Sequence, residues 1–207
     1  MTTPTRASET VRRRYNRSAR FYDREQAMME RVASRWRRDL WSRVPGGEVL
    51  ELGVGTGANM PYHPAGARVT AIDIAENMLA RAKERAAKLG VDVDLRQMDV
   101  EHLDFPDSHF DYVVASFVFC SVPDPVAGLR EARRVLKPGG TLLLLEHVRS
   151  ENVAVGKLMD ILNPLVVRVA GANINRRTVD NVRAAEFAGV AASSHMRGMV
   201  RLIEARS

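Results

Sequence analysis

The chain of 207 residues is 45% apolar and 27% charged, the composition of an ordinary globular protein of one domain. No apolar run reaches the roughly 20 residues of a membrane-spanning helix, and we expect no secretory signal because the first residues lack an apolar core. A single cysteine, Cys120, excludes an internal disulfide and suits a reducing cytoplasm.

The formal charge of +6 is unevenly distributed. Residues 1–44 contain twelve arginines and five acidic residues, a balance of +7, so residues 45–207 come to −1. This pattern indicates an anionic partner, such as a membrane surface, nucleic acid or an acidic substrate, or else a solvated arginine face. Charge alone leaves both interpretations open. We therefore divide the chain into basic amphipathic helices over residues 1–44 and a core over residues 45–207.

Two helices are predicted in the basic segment. The first has an apolar stripe at helical spacing with arginines between its members: Val11, Tyr15, Ala19 and Tyr22. A basic amphipathic helix can lie in an anionic membrane interface, where each Lys or Arg contributes about 1 kcal/mol. We predict that residues 11–22 are a mobile lid and membrane arm, and that the apolar stripe of residues 29–44 packs against the sheet.

From residue 48 onward, strand and helix patterns alternate. Apolar and β-branched runs predict seven strands, at residues 48–52, 68–73, 91–98, 112–117, 141–148, 191–196 and 200–205. Helical periodicity, with stops at Gly90 and Lys137-Pro-Gly-Gly140, predicts helices at residues 76–89, 125–136, 151–170 and 178–188. We therefore predict an α/β fold, with helices on both faces of a mostly parallel seven-stranded sheet and a C-terminal antiparallel strand.

A glycine-rich loop, Glu51-Leu-Gly53-Val-Gly55-Thr-Gly57, ends the first predicted strand. Glycines there let the backbone pass close to a ligand. The spacing G-x-G-x-G after an acid departs from the G-x-G-x-x-G pattern that holds a pyrophosphate. Glu51 therefore suits a cationic or zwitterionic ligand, although a glycine-rich loop by itself is a weak signal.

Two aspartates follow the next strands. Asp73 ends the second strand, where an acid can accept hydrogen bonds from both hydroxyls of a ribose; alone, it would more often cap a helix. Asp99 follows the third strand, where it can accept from an adenine amino group while the Val100 N–H donates to the ring. Their order after the glycine loop favours the ribose and adenine interpretation.

Four ordered segments carry a family resemblance: VLELGVGTGANM, AIDIAENMLARAKE, DVEHLDFPDSHFDYVVASFVFCSVPDP and RVLKPGGTLLLLEH. Over about residues 12–207 the chain resembles class I S-adenosylmethionine-dependent methyltransferases, which implies a Rossmann-like fold with S-adenosylmethionine as cofactor. The resemblance implies these contacts: the methionine part with Glu51, Gly53, Gly55 and Gly57, the ribose with Asp73, the adenine with Ile74, Met78, Asp99 and Val100, and the sulfonium with Ser116.

Absent motifs narrow the acceptor. Ser116-Phe-Val-Phe-Cys-Ser121 differs from the (D/N/S)-P-P-(Y/F) of DNA amino-methyltransferases. There is no paired-glutamate loop resembling that of protein arginine methyltransferases, and no Asp…Asp-Asn set resembling a catechol-type metal site, so we expect no metal. A neutral amine or a thiolate is an adequate nucleophile, so we expect alignment in a dry pocket and no general base.

Other segments point toward lipids. The run from Tyr15 to Asp23 is similar to the Y-(D/N)-x-x-A-x-x-Y-D opening that caps the active site of small-molecule and lipid methyltransferases. SFVFCSV, LEHV and GANINRRTV resemble soluble bacterial phosphatidylethanolamine N-methyltransferases, and also methyltransferase-like protein 7, a membrane-associated thiol methyltransferase. Quinone-biosynthesis C-methyltransferases match the central motifs but less well after residue 146.

We therefore expect a cytoplasmic enzyme, peripheral to the inner membrane surface, that N-methylates a phospholipid amine, converting phosphatidylethanolamine toward phosphatidylcholine. One alternative is S- or C-methylation of an alkyl thiol or a quinone precursor. Another is a non-catalytic cofactor-binding module with a nucleic-acid-binding arm. Against a nucleic-acid partner, the basic segment lacks interleaved stacking aromatics in an exposed strand arrangement, and the pocket motifs are complete.

Acceptor-side residues are the least constrained. Tyr15, Tyr22, Phe117 and His147 are expected to position the acceptor, the aromatic rings by cation–π attraction to methylated products; His147 is otherwise structural. Several residues have two interpretations each. Cys120 is an apolar filler or a nucleophile, and Glu146 is a partner of an ammonium or a solvated rim residue. Asn175 and Arg177 contact a phosphate or belong to a loop that caps the next helix, and residues 158–169 form a second interfacial flap or ordinary core.

Overall fold

The computed structural model describes residues 5–207, apart from the side chains of residues 25, 26, 28 and 170. The first four residues of the predicted basic segment therefore lie outside the described part. The strands are β1 (Gly47–Leu52), β2 (Ala67–Asp73), β3 (Asp94–Gln97), β4 (Phe110–Ser116), β5 (Leu136–His147), β6 (Ala188–His195) and β7 (Val200–Arg206). The α-helices are α1 (Arg6–Ser18), α2 (Tyr22–Trp41), α3 (Glu76–Leu89), α4 (Pro125–Val135), α5 (Val153–Ala170) and α6 (Thr178–Ala184).

The seven strands form one sheet in the order β3-β2-β1-β4-β5-β7-β6. Strands β1 to β5 pair in parallel, and β7 runs antiparallel between β5 and β6. This arrangement confirms the predicted fold class. Leu52 of β1 pairs with Ile72 on one side and with Ala115 on the other. The loops after β1, β2 and β4 therefore leave the carboxyl edge of the sheet at the same level, which is where open α/β sheets bind ligands.

Apolar side chains cover both faces of the sheet. On one face, Leu129 of α4 and Val182 of α6 pack against strand residues in a single cluster. On the other face, Leu40 and Trp41 of α2 join Ala82 of α3 in a second cluster. The predicted packing of residues 29–44 is therefore correct for the carboxyl half of α2. Two members of the predicted stripe, Met29 and Val32, do not share this packing and are about half exposed.

Several predicted boundaries were wrong. The third strand is only Asp94–Gln97 within the predicted 91–98, because β3 is an edge strand whose pairing with β2 begins at Asp94. Lys137 to Gly140 belong to β5, because the proline after Lys137 disfavours helix and leaves that residue extended. The last predicted helix, residues 178–188, ends at Ala184.

Two further predictions about helices need correction. Leu89, predicted on the buried face of α3, is about half exposed, whereas Ala82 and Ala86 earlier on that face are buried. Residues 158–169 are not ordinary core. They lie in α5, where Met159 is buried but most of the other described side chains are exposed.

Candidate active site

A cavity opens at the carboxyl edge of the sheet, where the loops after β1 to β4 meet. Eight residues expected around a cofactor line it: Gly53, Gly55, Asp73, Ile74, Met78, Asp99, Val100 and Ser116. The structure thus brings together residues from four separate loops, each of which follows a strand. The other two expected residues, Glu51 and Gly57, do not belong to the cavity lining.

The glycine loop forms the floor of this cavity. Gly53 and Gly55 have φ angles of 62° and 56°, in the left-handed region that glycine adopts without a steric penalty. A Cβ on Gly53 would stand 2.5 Å from Cγ2 of Val118, whereas a Cβ on Gly55 would meet no atom of the described residues within 4 Å. Gly55 therefore leaves open space inside the cavity, which a bound group can occupy.

Asp73 is held rigidly at the cavity wall. Its Oδ2 accepts a hydrogen bond from the Gly55 N–H at 2.9 Å, and its Oδ1 accepts one from the Ala75 N–H at 2.9 Å. Loss of water around the carboxyl group raises its pKa to about 6, although the backbone N–H donors oppose this shift. Each oxygen keeps a second lone pair, so the carboxylate can accept two further hydrogen bonds from a ligand.

Asp99 presents an unsatisfied acceptor. Its Oδ1 accepts from the Glu101 N–H at 3.0 Å. Its Oδ2 is buried and has no hydrogen-bond partner among the residues that the structure describes. A buried acceptor without a partner costs about 1–3 kcal/mol, so this oxygen suits the amino group of a ligand that fills the cavity.

Glu51 lies behind the cavity rather than in its lining. It is fully buried, and its Oε1 accepts from the Asn59 amide at 2.7 Å. Its Oε2 lies 2.9 Å from Nε2 of His63. The Asn59 amide also lies 3.2 Å from Oγ of Ser116. Both Asn59 and Ser116 line the cavity, so Glu51 acts on the site by orienting Asn59.

Arg37 and Asn59 are site residues that the sequence analysis missed. The Arg37 guanidinium donates to Oδ1 of Asn59 at 2.8 Å and to Glu30 at 3.0 Å, and it lies 5.4 Å from the centre of the Phe117 ring. Its side chain is only 11% exposed. The available signal was position: Arg37 lies four residues after Ala33, on the face of α2 that packs on the protein.

Helix α1 closes over the cavity. The Tyr15 hydroxyl lies 2.6 Å from Oγ of Ser121, and the Tyr15 and Tyr22 rings meet edge to face at 6.3 Å. Burial raises the pKa of both phenols, that of Tyr22 to about 12, so both stay neutral. An ion pair between Arg12 and Glu76 ties α1 to α3. The apolar stripe predicted for residues 11–22 therefore faces the protein, because Tyr15 and Tyr22 line the cavity and Ala19 is buried.

A second cavity of about 730 Å³ meets the first. Seven residues line both cavities at the junction: Tyr15, Tyr22, Arg37, Thr56, Ala58, Ser116 and Phe117. From there a groove, which we call the acceptor groove, runs outward between apolar side chains that include Met29, Val169, Met196, Met199 and Val200. Three further arginines line it, Arg14, Arg31 and Arg85, together with the acids Asp23 and Glu30. Asp23 pairs with Arg85 and Glu30 with Arg37, each at 3.0 Å. The groove therefore has mostly apolar walls that carry more guanidinium than carboxylate groups.

Phe117 and His147 lie in the groove, as expected of acceptor-side residues. Phe117 has a φ of 58°, a strained backbone geometry for a bulky residue at the junction of the two cavities. Burial lowers the pKa of His147, so its imidazole is neutral at pH 7. Its Nδ1 is buried and has no hydrogen-bond partner within the described part of the chain, which leaves one ring nitrogen available to a ligand.

Glu146 is not a solvated rim residue, and it lines neither cavity. The residue is fully buried, and its Oε1 accepts from the N–H groups of Val118 and Phe119 at 2.8 and 3.1 Å. It therefore anchors the loop after β4, and burial raises its pKa to about 7. The Cys120 thiol lies in the same loop. Burial raises its pKa to about 12, which makes it a neutral apolar filler and not a nucleophile.

Asn175 and Arg177 line neither cavity. The Asn175 amide donates to Asp160 of α5 at 3.1 Å. Arg177 occupies the N-cap position of α6. Asn175 thus holds the loop between α5 and α6 to α5, and Arg177 makes no side-chain capping hydrogen bond to the described residues of α6.

The chain is similar in sequence and in fold to known methyltransferases. Residues 50–144 match the family model described as a methyltransferase domain. A phosphatidylethanolamine N-methyltransferase of Cereibacter sphaeroides is 45% identical over 104 residues, 49% of this chain and 51% of that protein. A thiol S-methyltransferase, TMT1B, of Rattus norvegicus is 33% identical over 147 residues, 69% of this chain and 60% of that protein.

A ubiquinone/menaquinone biosynthesis C-methyltransferase, UbiE, of Shewanella woodyi is 36% identical over 138 residues, 64% of this chain and 55% of that protein. The chain thus spans about half to three fifths of the length of these relatives. Among solved structures, a possible histamine N-methyltransferase of Thermotoga maritima aligns with a TM-score of 0.68 at 22% identity, covering 91% of this chain and 97% of that one. At that identity the likeness concerns the fold alone.

Proposed function

We propose that this chain, whose residues 50–144 match a methyltransferase domain, is an S-adenosylmethionine-dependent enzyme that N-methylates the amine headgroup of a phospholipid, converting phosphatidylethanolamine toward phosphatidylcholine. Its cofactor, S-adenosylmethionine, supplies an electrophilic methyl group when bound. The relatives named above act on a lipid amine, a thiol and a quinone precursor, so the choice of acceptor rests on the groove.

The first cavity fits this cofactor. Open space above Gly55 accepts a ligand group, Asp73 offers two acceptor oxygens to ribose hydroxyls, and the buried Oδ2 of Asp99 suits the adenine amino group. Arg37, at the junction of the two cavities, supplies a guanidinium for the carboxylate of the methionine part. All four positions belong to one cavity, so a single ligand can satisfy them together.

Affinity for the cofactor product is expected to fall with pH below about 6. The pKa of Asp73 in the free protein is raised to about 6, and only its ionised form accepts hydrogen bonds at both oxygens. Binding of S-adenosylhomocysteine should therefore weaken about ten-fold per pH unit below that value and stay level above it. Calorimetric titrations from pH 5 to 8 measure this. The matched variant Asp73→Asn should show weaker binding without the slope, and an equal slope in that variant would assign the titration to another group.

The single observation that carries the choice of a phospholipid is the acceptor groove. It joins the cofactor cavity to the surface through mostly apolar walls with three arginines beyond the junction, Arg14, Arg31 and Arg85, of which Arg85 pairs with Asp23 at 3.0 Å. A phospholipid presents the matching groups in the same order, an amine, then an anionic phosphate, then acyl chains. A small thiol requires neither the arginines nor a groove of about 730 Å³.

Residues at the junction align the amine. Only a neutral amine has the lone pair that forms the new N–C bond, while the electron pair of the broken S–C bond stays on sulfur. The Tyr15 and Tyr22 phenols stay neutral and hold the acceptor through their ring faces. The imidazole of His147 is neutral and lies in the groove, where it can contact the headgroup. The ammonium loses its proton to solvent before the amine enters the junction. Helix α1 excludes water from this junction.

Replacing Tyr22 by alanine is expected to lower turnover on phosphatidylethanolamine about 3- to 30-fold, the range of one cation–π contact. Donor affinity should change little, because Tyr22 lies where the groove meets the cofactor cavity. Steady-state rates and calorimetry on the same preparation measure both quantities. The neighbouring Phe21, which is 51% exposed, provides the control Phe21→Ala. A Tyr22→Ala variant with unchanged turnover would remove the ring from the proposed acceptor site.

The proposed function is tested by supplying acceptors separately. The protein and a labelled methyl donor are incubated with phosphatidylethanolamine vesicles, an alkyl thiol or a quinone precursor. We expect label in mono-, di- and trimethylated phospholipid and little in the other products. Label only in a thioether, or only in a C-methylated ring, would reject the lipid proposal and leave the family assignment intact.

A phospholipid acceptor requires contact with a membrane surface, and we propose peripheral association at the inner, cytoplasmic face. Within residues 5–207, no helix is long and apolar enough to cross a bilayer. Arg17 of α1 and Arg20, which follows the helix, are exposed and available to anionic lipids, while the exposed Arg13 pairs with Glu9 at 3.0 Å. The apolar stripe of α1, in contrast, is engaged with the protein, so apolar contact with the membrane must come from another element.

A further inference from the structure

Helix α5 exposes an apolar face that nothing in the described structure covers. Its most exposed apolar side chains include Leu158 (54%), Ile161 (74%), Leu165 (62%) and Val169 (76%). Spacings of three and four residues place them on one side of the helix, together with Leu162 at 43%. We call these five residues the α5 face. Single exposed leucines are common, but a contiguous apolar stripe of this kind marks a contact surface.

The opposite side of α5 fixes its orientation. Met159 is buried against the protein. The Asn163 side chain accepts from the Ile174 N–H at 2.9 Å and donates to Asn173 at 3.1 Å. At the carboxyl end, the Arg14 guanidinium donates to the Val167 carbonyl at 2.9 Å. These contacts hold the helix by its polar side, so the α5 face points away from the body of the protein.

Charges beside the α5 face have one sign. Lys157 and Arg168 are eleven residues apart, which is about three helical turns, so they lie along the same side of the face. Asp160 is the one acidic residue of α5, and it pairs with Arg149 at 2.8 Å on the other side. Basic side chains that flank an apolar face can extend toward anionic headgroups while the face enters the lipid.

The α5 face is continuous with the acceptor groove. Val169 belongs to both, and Ala172 and the partly exposed Met196 line the groove beside it. A surface that covers the face therefore also covers the mouth of the groove. A second copy of the chain is a poor occupant, because a two-fold contact would bring Lys157 and Arg168 against the same basic patch of the partner. An anionic bilayer complements both the apolar side chains and the charges.

We propose that the α5 face docks the protein onto an anionic phospholipid membrane and holds the acceptor groove against the lipid. The inference rests on the proposed function for the identity of the groove's ligand, but docking itself is independent of methyl transfer. The α5 face supplies the apolar contact, and the arginines of α1 supply charge from the neighbouring helix. Binding should therefore require both anionic lipid and intact apolar side chains on α5.

The test compares two double variants with equal charge changes. Ile161→Glu/Leu165→Glu alters the α5 face, and Val32→Glu/Leu89→Glu alters exposed apolar residues of α2 and α3. Sedimentation with vesicles of phosphatidylethanolamine and phosphatidylglycerol should show binding of the α5 variant reduced about ten-fold or more, and wild-type binding by the control. Activity on a water-soluble short-chain phosphatidylethanolamine should persist in the α5 variant, which shows that its active site is intact.

Three outcomes distinguish failure of the docking surface from failure of the proposed function. Wild-type vesicle binding by the α5 variant would overturn the docking surface. A wild-type dimer in solution that the α5 variant disrupts, with vesicle binding unchanged, would assign the face to a second copy and overturn it as well. Loss of vesicle binding in the α5 variant, combined with no methylation of any phospholipid by the wild type, would support the docking surface and reject the proposed function.

Discussion

Replacing Asp73 by alanine is expected to weaken binding of S-adenosylhomocysteine by about 2–4 kcal/mol, or about 30-fold to nearly 1,000-fold. The Asp73 carboxylate accepts from the Gly55 and Ala75 N–H groups and keeps lone pairs for two ribose hydroxyls. Its removal leaves two ligand hydroxyls without an acceptor in a desolvated cavity, and hydrogen bonds to a charged group each contribute about 1.5–3 kcal/mol. Isothermal titration calorimetry of the folded variant measures the change.

Asp92→Ala is the matched control for this variant, because Asp92 is exposed on the loop before β3 and lies outside both cavities. Its affinity should equal that of the wild type. If Asp73→Ala keeps the thermal unfolding transition of the wild type and binds with unchanged affinity, Asp73 does not hold the ribose.

Replacing Gly55 by valine is expected to abolish measurable donor binding, a loss of more than about 100-fold, without unfolding the protein. A Cβ at this position meets no described atom within 4 Å, so the side chain would enter the space that the ligand needs. The φ of 56° adds a backbone cost of at least about 1–2 kcal/mol for any residue other than glycine. Calorimetry and thermal melting separate the two effects.

Gly90 supplies a control with the same backbone geometry. It has a φ of 65° at the end of α3, and a Cβ there also meets no described atom within 4 Å. Gly90→Val should therefore show a similar loss of stability with normal donor binding. Normal turnover in Gly55→Val would mean that the glycine loop is only a connector between β1 and the following turn.

The cofactor cavity was predictable because its residues follow strands. Gly53, Asp73, Asp99 and Ser116 each lie at or just after the carboxyl end of a parallel strand, and the topology of such a sheet brings those ends together. The positions of Asp73 and Asp99 in the cavity could be predicted without knowing how the helices pack. Glu51, in contrast, precedes the end of β1, and its side chain is buried behind the loop.

Arg37 was not predictable from local pattern. It is one of twelve arginines in the first 44 residues, and its role depends on how α2 packs against the sheet beside Asn59 and Phe117. A charged residue on a face that is otherwise apolar was the only indication. A charged residue on an apolar helix face identifies a site only once the surface that the face packs against is known.

An amphipathic pattern alone also does not distinguish a helix face that packs inside the protein from one that contacts a membrane. The stripe through Tyr15 and Ala19 and the stripe through Ile161 and Leu165 have the same periodicity, yet the first is turned toward the cavities and the second is exposed. The difference arises from tertiary contacts, such as the pairing of Arg12 with Glu76. Adjacent residues on β5 likewise have roles that the sequence pattern does not predict. Glu146 anchors the loop after β4, whereas His147 lines the groove.

Competition between a phospholipid and a thiol acceptor tests whether this protein methylates a phospholipid amine. Vesicles containing phosphatidylethanolamine are mixed with an alkyl thiol, a deuterated methyl donor is added, and the labelled products are identified by mass spectrometry. We expect deuterated methyl groups on the headgroup nitrogen, with mass increments for one to three transfers. Deuterium confined to the thioether, with the phospholipid unlabelled, would contradict this expectation.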